Sequence, residues 1–216
     1  MSGALQAVFQ NQRSFIVVPV VGSALGGGYF AGQISTAGNG IANYNLVVGP
    51  IASAQASRQW KTVNNSTAGT SSNIDGPGNS AAMNNATHPS AFFCEGLTVG
   101  GFTDWYMPAK NELEVCYYNL KPSTNSNNGA SGVNPNAVPA RASVYTPTVP
   151  ARTSATAFQS GNAEAFETTT DDYWASTEWA PNPATNANQT RFTYGWQYYN
   201  TKSGYNKVRA VRRVAV

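Results

Sequence analysis

Gly100-Gly101-Phe102-Thr103-Asp104-Trp105-Tyr106-Met107-Pro108-Ala109-Lys110-Asn111-Glu112-Leu113 is the stretch that decides how the rest of this chain is read. The paired glycines mark a turn, the aromatic run a short strand, and Pro108 the opening of a helix. Beyond the proline, Leu113, Cys116, Tyr117 and Leu120 recur at i, i+3, i+4 and i+7 and therefore share one helical face. Lys121-Pro122 ends the helix, because a residue before proline is steered away from helical geometry. Glu112 and Glu114, two positions apart, point away from one another and read as a solvated face rather than an acid pair.

Upstream, a second helix is expected from Thr87 or His88, with Pro89 in its first turn, Ala91, Phe92, Phe93 and Cys94 along it, and Gly96 as its stop. His88, the one histidine of the chain, reads as a cap or surface residue. Residues 62–85, rich in Asn, Ser, Thr and Gly, read as a long surface loop in which Asp75-Gly76-Pro77-Gly78 marks a turn. Tyr29–Ile34 and Tyr44–Val48, joined by a Gly/Asn connection, predict a hairpin. Gly26-Gly27-Gly28 precedes no helix bearing Lys-Ser or Lys-Thr and is no phosphate loop. Phe15–Val21 reads as a first strand with Pro19 at an edge or break, and residues 1–22 as an attachment arm. Arg13 falls too late and Pro19 interrupts too early for a signal peptide. No segment has the ~20 apolar residues of a membrane span.

Downstream, residues 123–157 form a long polar segment, read as an insertion, a protomer-contacting arm or a mobile loop. Residues 158–166 predict a short strand or turn, and Tyr173–Glu178 an aromatic segment. A polar loop covers 180–190. Arg191–Tyr199 then reads as a strand with Phe192, Tyr194, Trp196 and Tyr198 on one face. Asn200–Gly204 turns it into a last strand, Tyr205–Val214, giving a long C-terminal hairpin. Trp105, Trp174 and Trp196 are expected in the core.

Of the 216 residues, 41% are hydrophobic and 12% aromatic, enough for a sizeable core. Only 11% are charged, against about a quarter in typical domains, so the surface must be largely neutral and polar. Such a surface suits an extracellular or virion-borne protein. The net charge is +3, with basic residues gathered toward the C-terminus. Period-2 spacing sets Lys207, Arg209, Val211 and Arg213 on one strand face and Val208, Ala210, Arg212 and Val214 on the other. That is a half-exposed strand, not a nucleic-acid cluster. Cys94 and Cys116 allow one bridge, or serve as two small buried apolar groups.

Taken together, Gly100–Pro108 with Glu112-Leu113, then Tyr173-Trp174-Ala175-Ser176-Thr177-Glu178 and Val208-Arg209-Ala210-Val211-Arg212-Arg213, resemble a family of C-type-lectin-like domains. Its members occur at the tips of bacterial collagen-like adhesins and in bacteriophage fibre and virion proteins. Gly27–Gly32 and Tyr44–Val48 look like its phage branch, and the match spans roughly residues 25–214. The resemblance implies an α+β fold of two helices on small antiparallel sheets with long loops, occupying residues 23–216. It further implies a non-enzymatic virion-surface protein that binds a host glycan or protein from a tail fibre, with oligomers, by analogy trimers, as the habit. Capsid or tail decoration, or a secreted adhesin module, are the alternatives. The arm would join other virion proteins.

A calcium-dependent sugar site is not expected, because Pro181-Asn182 lacks the adjacent acid and residues 180–206 contain none. No acid/base pair, metal or cofactor is expected, and the cysteines sit away from the binding loops. The candidate ligand-binding residues are instead the rings of Trp179, Tyr199 and Tyr205 and the amides of Asn182, Asn186, Asn188, Gln197 and Asn200.

Overall fold

Gly28–Ile34 (β2) and Tyr44–Val48 (β3) pair antiparallel, as their apolar pattern predicts. The computed structural model describes residues 17–169 and 172–216; residues 1–16, most of the expected arm, lie outside them. Of the expected first strand, Val17–Val20 forms no strand, and Val17 and Val20 are 83% and 76% exposed. A bulge falls between Phe30 and Gly32, where the φ of Gly32 is +139°. A Cβ there would collide with the amide of Asn119, which donates to Ala31 O at 2.7 Å.

The architecture is α+β, built on two mainly antiparallel sheets. The first runs β1 (Ala24–Leu25), β2, β3 and β10 (Val211–Ala215), with β5 (Ala137–Val138) on the free side of β2. The second runs β4 (Gln55–Gln59), β9 (Tyr205–Arg209), β6 (Tyr173–Glu178), β7 (Asn186–Arg191) and β8 (Trp196–Thr201). Short helices α1 (Ile51–Ala54), α2 (Gly76–Ala82) and α3 (Pro89–Glu95) accompany the longer α4 (Lys110–Leu120).

The C-terminal region differs most from the sequence expectation. Phe192–Gly195 is a turn rather than strand, and residues 186–191 are strand rather than loop. β8 pairs with β7, not with β9, so the expected C-terminal hairpin does not form. The last strand is also divided. At Ala210 the chain leaves the second sheet for the first, held by Ala210 N to Ala54 O and Gly49 N to Ala210 O, both 2.9 Å. Alternation along a strand cannot reveal which neighbour it selects, because every pairing presents the same period of two.

Asp75-Gly76-Pro77-Gly78 is not a loop turn but the start of α2: Asp75 accepts from Gly78 N at 3.2 Å, with proline in the first turn. α3 begins and ends as expected, and His88 holds its N-cap position. His88 is nonetheless buried, so the surface expectation fails. Its ring nitrogens lie 2.9 Å from Thr67 Oγ1 and Asn85 Oδ1, and its edge meets Trp60. Residues 158–166 hold the end of a 3₁₀ turn and no strand.

On α4 the four predicted apolar residues are buried together with Phe158, Phe166, Tyr173 and Phe192, whose rings include a stacked pair, Phe166 and Phe192, at 3.9 Å. Each such side chain contributes roughly 1.5–3 kcal/mol on burial. A second cluster gathers Trp60, Trp105, Trp174, Met83, Met107, Cys94 and Val208. Trp105 and Trp174 are thus core as expected; Trp196, on the outermost strand, is 37% exposed and is not. Both cysteines are buried and free.

Glu112 and Glu114 overturn the solvated-face expectation, since both are fully buried. Glu112 accepts from Tyr106 Oη at 2.6 Å, Ala109 N at 2.9 Å and Arg213 Nε at 2.9 Å. Glu114 takes Tyr145 Oη at 2.7 Å, Asn134 Nδ2 at 2.5 Å and the Arg141 guanidinium. Arg209 is likewise not half-exposed but buried against Glu164. Two stretches quoted separately from the sequence meet here: Arg212 forks onto Asp104 at 2.7 and 2.9 Å and stacks over Phe102. The fork holds the Asp104 carboxyl below its usual range. The 123–157 segment is tied down by the Glu114 cluster, by β5 and by Asn127, which bonds Tyr117 Oη at 2.6 Å.

Candidate functional site

β6 ends at Glu178, and the chain then turns through Trp179-Ala180-Pro181-Asn182 before re-entering the sheet as β7. The turn is closed by Asn182 N to Trp179 O and Asn186 N to Asn182 O, both 3.0 Å. Facing it is the segment before α2. Glu178 N bonds Thr70 O at 2.8 Å, and Thr177 Oγ1 bonds Ser72 O at 2.8 Å while accepting Lys110 N at 3.0 Å. Asn111 N takes Asn73 O at 2.8 Å. These bonds set the 66–73 segment, the first turn of α4 and the 179–183 turn around one cleft of about 500 Å³.

A buried cation holds Glu178, one of the residues that line the cleft. Lys202 ion-pairs with Glu178 and donates to Asn65 O at 2.9 Å and Pro183 O at 2.6 Å, stitching both rims to the turn before β9. Its ammonium also lies 4.5 Å from the Trp60 ring. Glu178 further accepts Thr67 N at 2.6 Å, so its charge is already engaged. Burial and the nearby Lys61 and Lys202 ammonium groups lower His88 to about 4, keeping it a neutral ring.

The groups left over define what the cleft can do. The 179–183 turn contributes the apolar Trp179, Ala180, Pro181 and Pro183 to the lining; the 66–73 segment and the first turn of α4 contribute Ser66, Ser71, Asn73 and Lys110. Among the described residues these four side chains have no hydrogen-bond or ion-pair partner. A lining that combines an apolar turn with free hydroxyl, amide and ammonium groups suits a ring that is apolar on its faces and polar at its edge. Among the described residues no group of three or more His, Cys, Asp or Glu is placed to hold a metal ion.

No protein-family model and no curated protein matches this chain.

Of the residues singled out from the sequence, Trp179 and Asn188 line the cleft. Trp179 stacks on Tyr199 at 3.7 Å and 22°, so one face of each ring is covered. The Asn188 amide nitrogen is engaged, donating to Thr177 O at 3.1 Å and Glu178 O at 2.9 Å, and thereby shapes the cleft. Asn182 is exposed in the turn, and Asn186 is half-buried at the start of β7. Asn200 faces Ala187 across the β7–β8 pair and accepts Thr201 N at 2.8 Å. Gln197 instead turns toward the 123–157 segment, accepting Gly132 N at 3.2 Å. Tyr205 is exposed at the head of β9, opposite Gln59. Ser66, Ser71, Asn73 and Lys110 were missed. The polar run 62–85 was the one sequence signal for Ser66, Ser71 and Asn73, and a polar run looks the same whether it faces solvent or a cleft; Lys110 instead opens α4.

Proposed function

We propose that this chain is a non-enzymatic, C-type-lectin-like surface protein of a bacteriophage virion that holds a host-surface saccharide in the 66–73/179–183 cleft. The observation that carries the saccharide is the cleft's mixed lining: indole and proline from the 179–183 turn, unpartnered hydroxyl, amide and ammonium groups from the 66–73 segment and α4. A pyranose ring has the same mixture, with C–H faces and a hydroxyl edge. The α+β architecture and the pairing of the terminal strand β10 with β3 are compatible with a lectin-like fold. The virion assignment rests on the sequence resemblance alone.

The test is binding of the purified chain to an array of bacterial surface oligosaccharides, followed by titration of the best ligand. Trp179→Ala should weaken that binding about fivefold or more, as loss of one ring-stacking contact does. Tyr205→Ala, outside the cleft, should leave it unchanged. Equal affinity of wild type and Trp179→Ala, or no retained saccharide, would reject the proposal.

A further inference from the structure

A second site lies away from this cleft, where α4 ends. Lys121 is 1% exposed, yet its ammonium meets two carbonyl oxygens and no carboxylate, Asn125 O at 2.5 Å and Pro150 O at 3.2 Å. Other buried cations are compensated, Arg209 by Glu164, Lys202 by Glu178 and Arg212 by Asp104, as is the partly buried Arg213 by Glu112. Lys61, which also lacks a carboxylate, fills all three N–H groups with Asn65 O, Ser66 O and Thr67 Oγ1. An ammonium has three donors, so Lys121 keeps one unfilled. The C-terminal end of α4 offsets part of its charge, but supplies no partner for that donor.

Lys121 borders a depression of about 250 Å³ that is also lined by Thr124, Ser126, Thr148 and Arg152. Among the described residues these three hydroxyls and the guanidinium have no intramolecular hydrogen-bond or ion-pair partner. Two cations and three hydroxyl donors with no acid among the lining residues form an environment for an anion with several oxygens. The lowering of Lys121 by burial, with no charged neighbour contributing, agrees with a charge awaiting a counter-ion.

We infer that this depression binds a small tetrahedral oxyanion, a phosphate or sulfate group, either free or as the ester of a larger molecule. The anion accepts the third Lys121 proton at the floor, the Arg152 fork at the rim and the hydroxyls between them.

Inorganic phosphate and inorganic sulfate are titrated against the full chain by calorimetry at constant ionic strength, with chloride as the control salt. Saturable binding of one anion per chain is expected, weakened about tenfold in Arg152→Ala, the loss expected when a charge-assisted hydrogen bond is removed. Arg58→Ala, exposed on β4 and outside both sites, should bind as wild type does. Lys121→Met should abolish binding; because its ammonium ties two carbonyls, the exposed Arg152→Ala carries the test if that variant does not fold. Glucose 1-phosphate separates the sources: tighter binding than inorganic phosphate indicates an ester ligand, equal binding the free anion. No anion-specific binding, or undiminished binding in Arg152→Ala, would overturn the site.

Discussion

Replacing Glu114 with Gln probes the least expected feature of the core. The carboxylate is fully buried and gathers Arg141, Tyr145 and Asn134, which together fix the 131–145 part of the polar segment to α4. Glutamine keeps the shape but removes the charge and presents an NH₂ group to a set of donors. Breaking a buried ion pair from one side costs about 3–5 kcal/mol, because the remaining charge is left without a partner. Arg141 is slightly exposed and stacks on Tyr118 at 4.0 Å, so it can swing toward water. That places the loss near the lower end, about 3 kcal/mol. For a chain of this size such a loss lowers the melting temperature by roughly 6–12 °C. Urea titration followed by tryptophan fluorescence measures it, and hydrogen exchange at Asn134 and Arg141, whose backbones bond each other at 2.8 and 2.9 Å, should quicken. The double variant Glu114→Leu, Arg141→Met should be less destabilised than the sum of its single changes, since no charge is left unpaired. A loss for Glu114→Gln below about 1 kcal/mol would refute the claim that this carboxylate pins the 131–145 segment.

Three further outcomes follow from local geometry. His88 stays neutral in the fold down to about pH 4 but protonates near 6.5 when unfolded, so the unfolded chain binds the proton first. Its contribution is complete above 6.5, falls as pH drops from about 6.5 to about 4, and levels off below; His88→Gln should flatten that part of the urea-midpoint profile. Burial raises the thiols of Cys94 and Cys116, so neither should alkylate in the native protein, and both should do so in denaturant without reductant. A single label, or none, would contradict the free pair. Gly195 has φ +74° and a Cβ there would overlap the Tyr117 ring, so Gly195→Ala should cost about 1–3 kcal/mol in urea unfolding.

Local order was legible in the sequence where short-range chemistry sets it. The period of Leu113, Cys116, Tyr117 and Leu120 gave the buried face of α4, and the Pro89 and Gly96 signals bounded α3. The β2–β3 hairpin followed from its apolar runs. Pairing beyond neighbours was not legible. β9 lies between β4 and β6, and β8 pairs with β7, although β8 and β9 adjoin in sequence. Trp179 and Asn188, singled out from the sequence as a ring and an amide near the C-terminus, line the cleft; Ser66, Ser71 and Asn73 come from an earlier polar run and Lys110 from the first turn of α4.

By itself the sequence determined the helix faces, the first hairpin and a surface poor in charge. Only the tertiary structure decided where that scarce charge goes. Glu112, Glu114, Glu178 and Asp172 are buried because Arg213, Arg141, Lys202 and Arg191 arrive from distant segments to meet them. Hydrophobic periodicity reads every carboxylate as solvent-facing. A buried charge is tolerated only through a partner that the fold, not the local sequence, brings within reach.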